Sequence, residues 1–249
     1  MKTLFARYAL MLAVLTSFAP FGTPAWAQEV SQAAPSPAAK EFGAIYVPID
    51  LTVEASVIGF KKSFELTVRD NPGIAQLEKS KPGVIAAASA AGQKAVSNVL
   101  RRTVPDIQKK LAAFGAASFT EAELSEINAY YSTDAGARIQ RLVAENVNVS
   151  ALVENMKRTG NIPDLSGKDL IDSVDSKVVT KISDDDLLGL MKFNTTVGGR
   201  KLSMLAVPLA DLVATEMNQA VNASMPEIQQ AVFAAISAHM GKTPRKAAP

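Results

Sequence analysis

One pattern occurs twice in the chain and restricts its fold more than any other feature. Phe119 to Gly136 reads as a short helix, a tight turn and the start of a second helix, and the design returns ungapped from Ile182 to Gly199, 63 residues later. Thr120 meets Ser183, Glu123 meets Asp186, Leu124 meets Leu187, Tyr130 meets Phe193, Thr133 meets Thr196, Gly136 meets Gly199 and Arg138 meets Lys201. A fixed internal period with chemical class kept at each pair is the mark of a repeated unit.

Each pair has a structural task. Thr120 and Ser183 suit N-cap positions, where a hydroxyl accepts from a free backbone N–H. Glu123 and Asp186, three residues on, can return the bond as a capping box, although Asp is shorter than the usual Glu. Phe119 and Ile182 precede the cap and can staple onto Leu124 and Leu187 at the fourth helical position. Thr133 and Thr196 are placed to cap the second helix. Gly136 and Gly199 then fall in its first turn, where glycine costs about 1 kcal/mol relative to Ala. A repeated glycine at that cost implies close approach of a neighbouring helix or of the ring at Tyr130 or Phe193.

The run Phe-Thr-x-x-Glu-Leu, an aromatic pair, then Ser-Thr-x-x-Gly and a basic residue two further on resembles the bacterial domain-of-unknown-function family 2059. The resemblance is good over Phe119 to Leu142 and weaker over Ile182 to Leu205; it extends over residues 104–224 and says little of the helices before them. Asp134 and Val197 stand where the family's run often has Pro, and Asn194 replaces the second aromatic. The resemblance implies small helical modules of exported proteins in the envelope of a Gram-negative-type bacterium. It supplies no catalytic residues.

The N-terminus carries its own address. Lys2 and Arg7 precede an apolar run from Tyr8 to Phe18, and Ala25-Trp26-Ala27 supplies a small-x-small cleavage site. Residues 1–27 are therefore expected to be a signal peptide cut after Ala27, directing the protein to the periplasm. Its removal leaves 24 Lys+Arg against 24 Asp+Glu, so the mature chain is formally neutral. With no basic run interleaved with aromatics, nucleic acid is not an expected partner. The absence of cysteine excludes disulfides, thiolate metal sites and cysteine nucleophiles.

Residues 28–47, rich in Ala, Pro and Ser, read as a flexible spacer. Helical periodicity is expected over 48–240, with repeat copies at about 104–160 and 167–224. Asp50 is the expected first N-cap, and Leu51, Ala55, Ile58 and Lys62 share one face. An Ala-rich helix follows Lys81-Pro82-Gly83 and runs to about Arg102, with Pro105 kinking or restarting it. The second helix of the first corner is expected to reach Arg158, and Val149, Leu152 and Met156 continue its apolar stripe. Pro208 should kink the second copy, and a separate last helix starts near Met225-Pro226. Tyr46-Val47 and Val178-Val179 are the only strand-like stretches, and 241–249 reads as a disordered basic tail. No apolar run beyond Ala27 is counted as long enough to cross a membrane.

Candidate chemistry is thin. His239 is the only histidine, and no nucleophile elbow accompanies it. Asp184-Asp185-Asp186 favours a helix N-terminus more than a cation site. Gly198-Gly199-Arg200-Lys201 lacks the spacing of a phosphate loop. Tyr130, Tyr131 and Phe193 fit either core or a cleft between the corners. The tail cations Lys242, Arg245 and Lys246 lack an apolar face for membrane contact. No cofactor or metal motif is present.

The expected fold is all-α: a multi-helix array with two repeated helix-turn-helix corners. The leading expectation for function is non-catalytic binding of an envelope protein or component between the corners. A hydrolase would require convergence among Glu121, Glu126, Asp134, Glu145 and Asp184. A carrier of small apolar ligands would require an apolar cavity.

Overall fold

A 35-residue helix, α4 (Val84–Ser118), is the axis on which the rest is arranged. The computed structural model describes residues 34–69, 71–146 and 176–241. Among these residues regular structure is entirely helical, as expected for an all-α chain. Before α4 come α1 (Pro37–Tyr46), α2 (Ile49–Arg69) and α3 (Pro72–Ser80). After it, α5 (Glu121–Tyr131) and α6 (Asp134–Glu145) form the first corner. A 3-10 turn (Ser176–Lys181) leads to the second corner, α7 (Asp184–Thr195) and α8 (Val197–Met204), and α9 (Ala206–Gly241) returns along α4.

The Ala-rich first half of α4 lets neighbours approach closely. α1, α2 and α9 all pack on it. Gly92 leaves room for the Phe60 ring of α2, and a side chain there would also meet Val232 of α9. Ion pairs set α9 antiparallel to α4: Arg102 to Glu227 at 2.6 Å and Lys110 to Glu216 at 2.5 Å. Gly83 precedes α4 with φ of 86°, a left-handed conformation that glycine adopts without strain. Glu78 of α3 accepts from the Gly83 and Ile85 N–H groups at 2.6 and 3.0 Å, supplying the cap that α4 itself lacks. His239 Nε2 lies 2.8 Å from the Pro82 carbonyl, fastening the end of α9 to the same turn.

Several expectations are corrected. The spacer expected over 28–47 contains α1, capped by Ser36 and burying Ala39, Phe42 and Gly43. Gln108 donates to Val47 O at 2.8 Å and Asn128 to Ala38 O at 2.9 Å, so both ends of α1 are anchored. The fold therefore begins before Pro48, and Tyr46 is helical. Asp50 lies inside the first turn of α2 and pairs with Arg101 at 2.9 Å, where it was expected to cap.

α4 passes through Pro105 and α9 through Pro226 without interruption. Each proline leaves a carbonyl four residues back without its N–H partner. Those residues, Arg101 and Asn222, are exposed, so water can take the vacated bond. Pro208 falls in the first turn of α9, where its missing N–H is tolerated; the break is at Leu205. The separate last helix expected near Met225 is thus the second half of α9. The copy boundaries set near 104 and 224 likewise fall within α4 and α9. Val178 lies in the 3-10 turn.

Pro37–Arg69 meets the length and apolarity requirement for a membrane-crossing helix, with mean hydropathy 1.3 in an 18-residue window. This corrects the expectation that no run beyond Ala27 is long enough. Val47 and Pro48 divide the stretch into α1 and α2, and 28% of that window is buried. The signal peptide, the tail beyond Gly241 and the stripe at Val149, Leu152 and Met156 lie outside the described residues.

The two corners interlock. α5 packs on α8 and α6 packs on α7. Arg138 grips Asp186 through two bonds of 3.1 and 2.6 Å, and Lys201 reaches Glu123 at 2.9 Å. Arg138 and Lys201 are 63 residues apart, as are Glu123 and Asp186, so each corner's base holds the other's acid. Tyr130 and Phe193, also 63 residues apart, stack face to face at 4.3 Å and 6°.

The cap and staple scheme is as expected in the first corner and departs from it twice in the second. Thr120 and Glu123 exchange both bonds of a capping box, at 2.7 and 3.3 Å. Ser183 accepts from Asp186 N at 3.2 Å, but the return bond is missing, since the shorter Asp186 carboxylate faces Arg138. Phe119 and Leu124 are buried, whereas Leu187 is 37% exposed, so the hydrophobic staple closes in the first corner only. Thr133 and Thr196 accept from Gly136 N and Gly199 N at 3.1 and 3.0 Å.

The repeated glycines are explained by their own turns. A Cβ on Gly136 would lie 2.5 Å from the Tyr130 carbonyl oxygen, and one on Gly199 would meet the Phe193 carbonyl. Helix propensity alone predicts that Gly136→Ala stabilises by about 1 kcal/mol. The backbone clash reverses the sign: Gly136→Ala should destabilise by about 1–3 kcal/mol in urea unfolding, and a gain in stability would refute the close approach. The ion pairs give a second expectation. Arg138, helped by Ser183, holds Asp186 below the ordinary carboxylate range. Lys201 and the Thr120 N–H do the same for Glu123. Folded pKa values below the unfolded ones contribute stability above the ordinary carboxylate range that is lost as pH falls through it. The melting temperature of Arg138→Met/Lys201→Met should therefore fall less than that of the native chain between neutral pH and pH about 3; parallel curves would show that the pairs contribute nothing.

Candidate functional site

α2 has two apolar stripes, and only one is packed into the core. Val53, Phe60 and Phe64 turn inward and are buried. Leu51, Ala55 and Ile58, expected to share one face with Lys62, do so on the other side and wall an open cavity together with it. The cavity holds about 390 Å³, within the range of small-ligand sites.

α6 forms the facing wall, through Ile139, Val143 and Glu145. Gln140 donates to the Ile45 carbonyl at 2.8 Å, and Arg141 stands 3.7 Å from Glu54. These contacts run α6 alongside α2, and Glu145, one turn beyond Arg141, also lines the cavity. Val213 and Met217 of α9 complete the lining. Tyr46 and Tyr131 line the end next to the α1–α2 break. Burial raises both phenols, Tyr131 to about 12, and the neighbouring Tyr131 adds to the rise at Tyr46. Both are therefore neutral donors at physiological pH, yet neither donates a hydrogen bond among the described residues.

The space between the corners is filled where binding was expected. Phe193 is buried against Tyr130, and Tyr131 meets both rings edge-on at 5.1 and 5.7 Å. Of the three aromatics considered for a cleft, Tyr131 alone lines the cavity. Glu121, Glu126, Asp134, Glu145 and Asp184 are all exposed. Glu126 accepts from Gly198 N at 2.8 Å, so the start of α8 already holds a carboxylate from within the chain. Arg200 donates to the Thr195 carbonyl and Lys201 to Glu123, which accounts for the rest of the Gly198–Lys201 run. Asp186 is buried against Arg138, while Asp184 and Asp185 are exposed. His239 serves the Pro82 turn.

Sequence reasoning missed Tyr46, and it grouped Leu51, Ala55, Ile58 and Lys62 on one face without assigning that face a cavity. The available signal was the doubled stripe: one helix carrying two apolar faces needs two things to cover it. No family model matches the chain, and neither a curated protein nor a solved structure matches it.

Proposed function

We propose that this chain is an exported, non-catalytic binding protein of the bacterial envelope that holds the alkyl part of an envelope component between α2 and α6. The observation that carries the reading is the cavity itself: apolar walls, open access, and a position on the side of α2 that the core leaves uncovered. Part of the apolar surface of Pro37–Arg69 that the core leaves unburied, Leu51, Ala55 and Ile58 included, walls the cavity.

Export and periplasmic location rest on the N-terminal signal pattern, cut after Ala27. The reciprocal pairing of residues 63 apart supports descent of the corners from one duplicated module, and with it the resemblance to family 2059. In this reading the corners are the frame and α2 supplies the site. No observation favours the hydrolase, since Glu145 alone of its five carboxylates stands at the cavity.

Each methylene moved out of water gains about 0.8 kcal/mol. Displacement of the fluorescent probe N-phenyl-1-naphthylamine by n-alcohols should therefore tighten roughly tenfold for every two carbons added, until the groove is full. Ala55→Trp should abolish probe binding while leaving the far-UV spectrum unchanged. Absence of saturable probe binding by the native protein would overturn the proposal.

A further inference from the structure

The cavity has unlike ends. Away from the α1–α2 break its charged lining residues are Lys62 and Glu145, both exposed and of opposite sign, so together they offer an anion or a cation no net attraction. Tyr46 and Tyr131 stand beside that break, partly covered, with two hydroxyl hydrogens and no protein acceptor among the described residues. A phenol is donor and acceptor, so each of these hydroxyls can give its hydrogen to a ligand oxygen in place of water. What fits there is an oxygen acceptor joined to something apolar. Between the ends, α2 advances about 16 Å from Leu51 to Lys62 at 1.5 Å per residue. That length suits a single alkyl chain lying parallel to the helix.

We propose that the cavity takes a single-chain acyl compound, its acyl oxygen accepting from the Tyr46 and Tyr131 hydroxyls and its chain running between α2 and α6 toward Lys62. This rests on the binding reading above and adds the chemical class and polarity of the ligand. The neutral state of both phenols suits it, because each keeps its proton to donate at physiological pH. Free fatty acids and monoacyl esters share the chemistry.

The test uses full-length protein and displacement of N-phenyl-1-naphthylamine by dodecanoic acid, methyl dodecanoate and dodecane. At least one oxygenated compound should displace the probe about tenfold more tightly than dodecane, the effect of two neutral hydrogen bonds. A tighter free acid assigns the fatty acid, and a tighter ester assigns the monoacyl ester. Tyr46→Phe/Tyr131→Phe should remove that preference, so that dodecane displaces the probe no less tightly than either oxygenated compound. Equal displacement by all three compounds in the native protein overturns the inference but leaves the binding reading standing. A preference that survives in the double variant does the same. Failure of the native protein to bind the probe sinks both.

Discussion

A helix of 35 residues with apolar contacts around much of its circumference cannot be covered by one partner, and the architecture answers that demand. At 1.5 Å per residue α4 is about 52 Å long. α9 covers it from one side almost end to end, while α1 and α2 share another. The cover stays close because α4 presents small residues, Gly92 and Gly115, where aromatic rings from α2 and α1 press in. The corners are attached at the C-terminal end of this three-sided core, through Phe119 against Phe42.

The corners hold together by exchange. Each contributes a base to the other's acid and a ring to a shared stack. The exchange is unequal in one respect. Glu123 is long enough to serve both its own cap and Lys201, whereas Asp186 serves Arg138 and leaves its cap half made. One methylene of side-chain length separates these outcomes. The stack closes the gap in which a partner was expected, while the space beside α2 stays open.

Much of the fold was legible in residue types. Thr120, Glu123, Thr133 and Gly136 announce their roles because caps and close turns are local, with physics complete within four residues. α1 was hidden because its helix depends on distant groups: Gln108 and Asn128 hold its ends, and Phe42 is buried only once α4 is present. Pro208 and Pro226 misled because a proline's effect depends on which helical turn it enters and whether the vacated carbonyl meets water. The site was least legible. Leu51, Ala55 and Ile58 have the periodicity of a core stripe, and periodicity does not distinguish a face packed on protein from a face left for something else.

α6 is common to both halves of this description. Arg138 on it is held by Asp186 of α7, and Ile139, the next residue, walls the cavity. α6 is therefore held at three places, by Gln140 on Ile45 of α1, by Arg141 beside Glu54 of α2 and by the grip of Asp186 on Arg138. A ligand held between α2 and α6 would therefore rest on a helix that the second corner also holds. The second corner contributes no residue to the cavity lining, yet it fastens the helix that forms one of its walls.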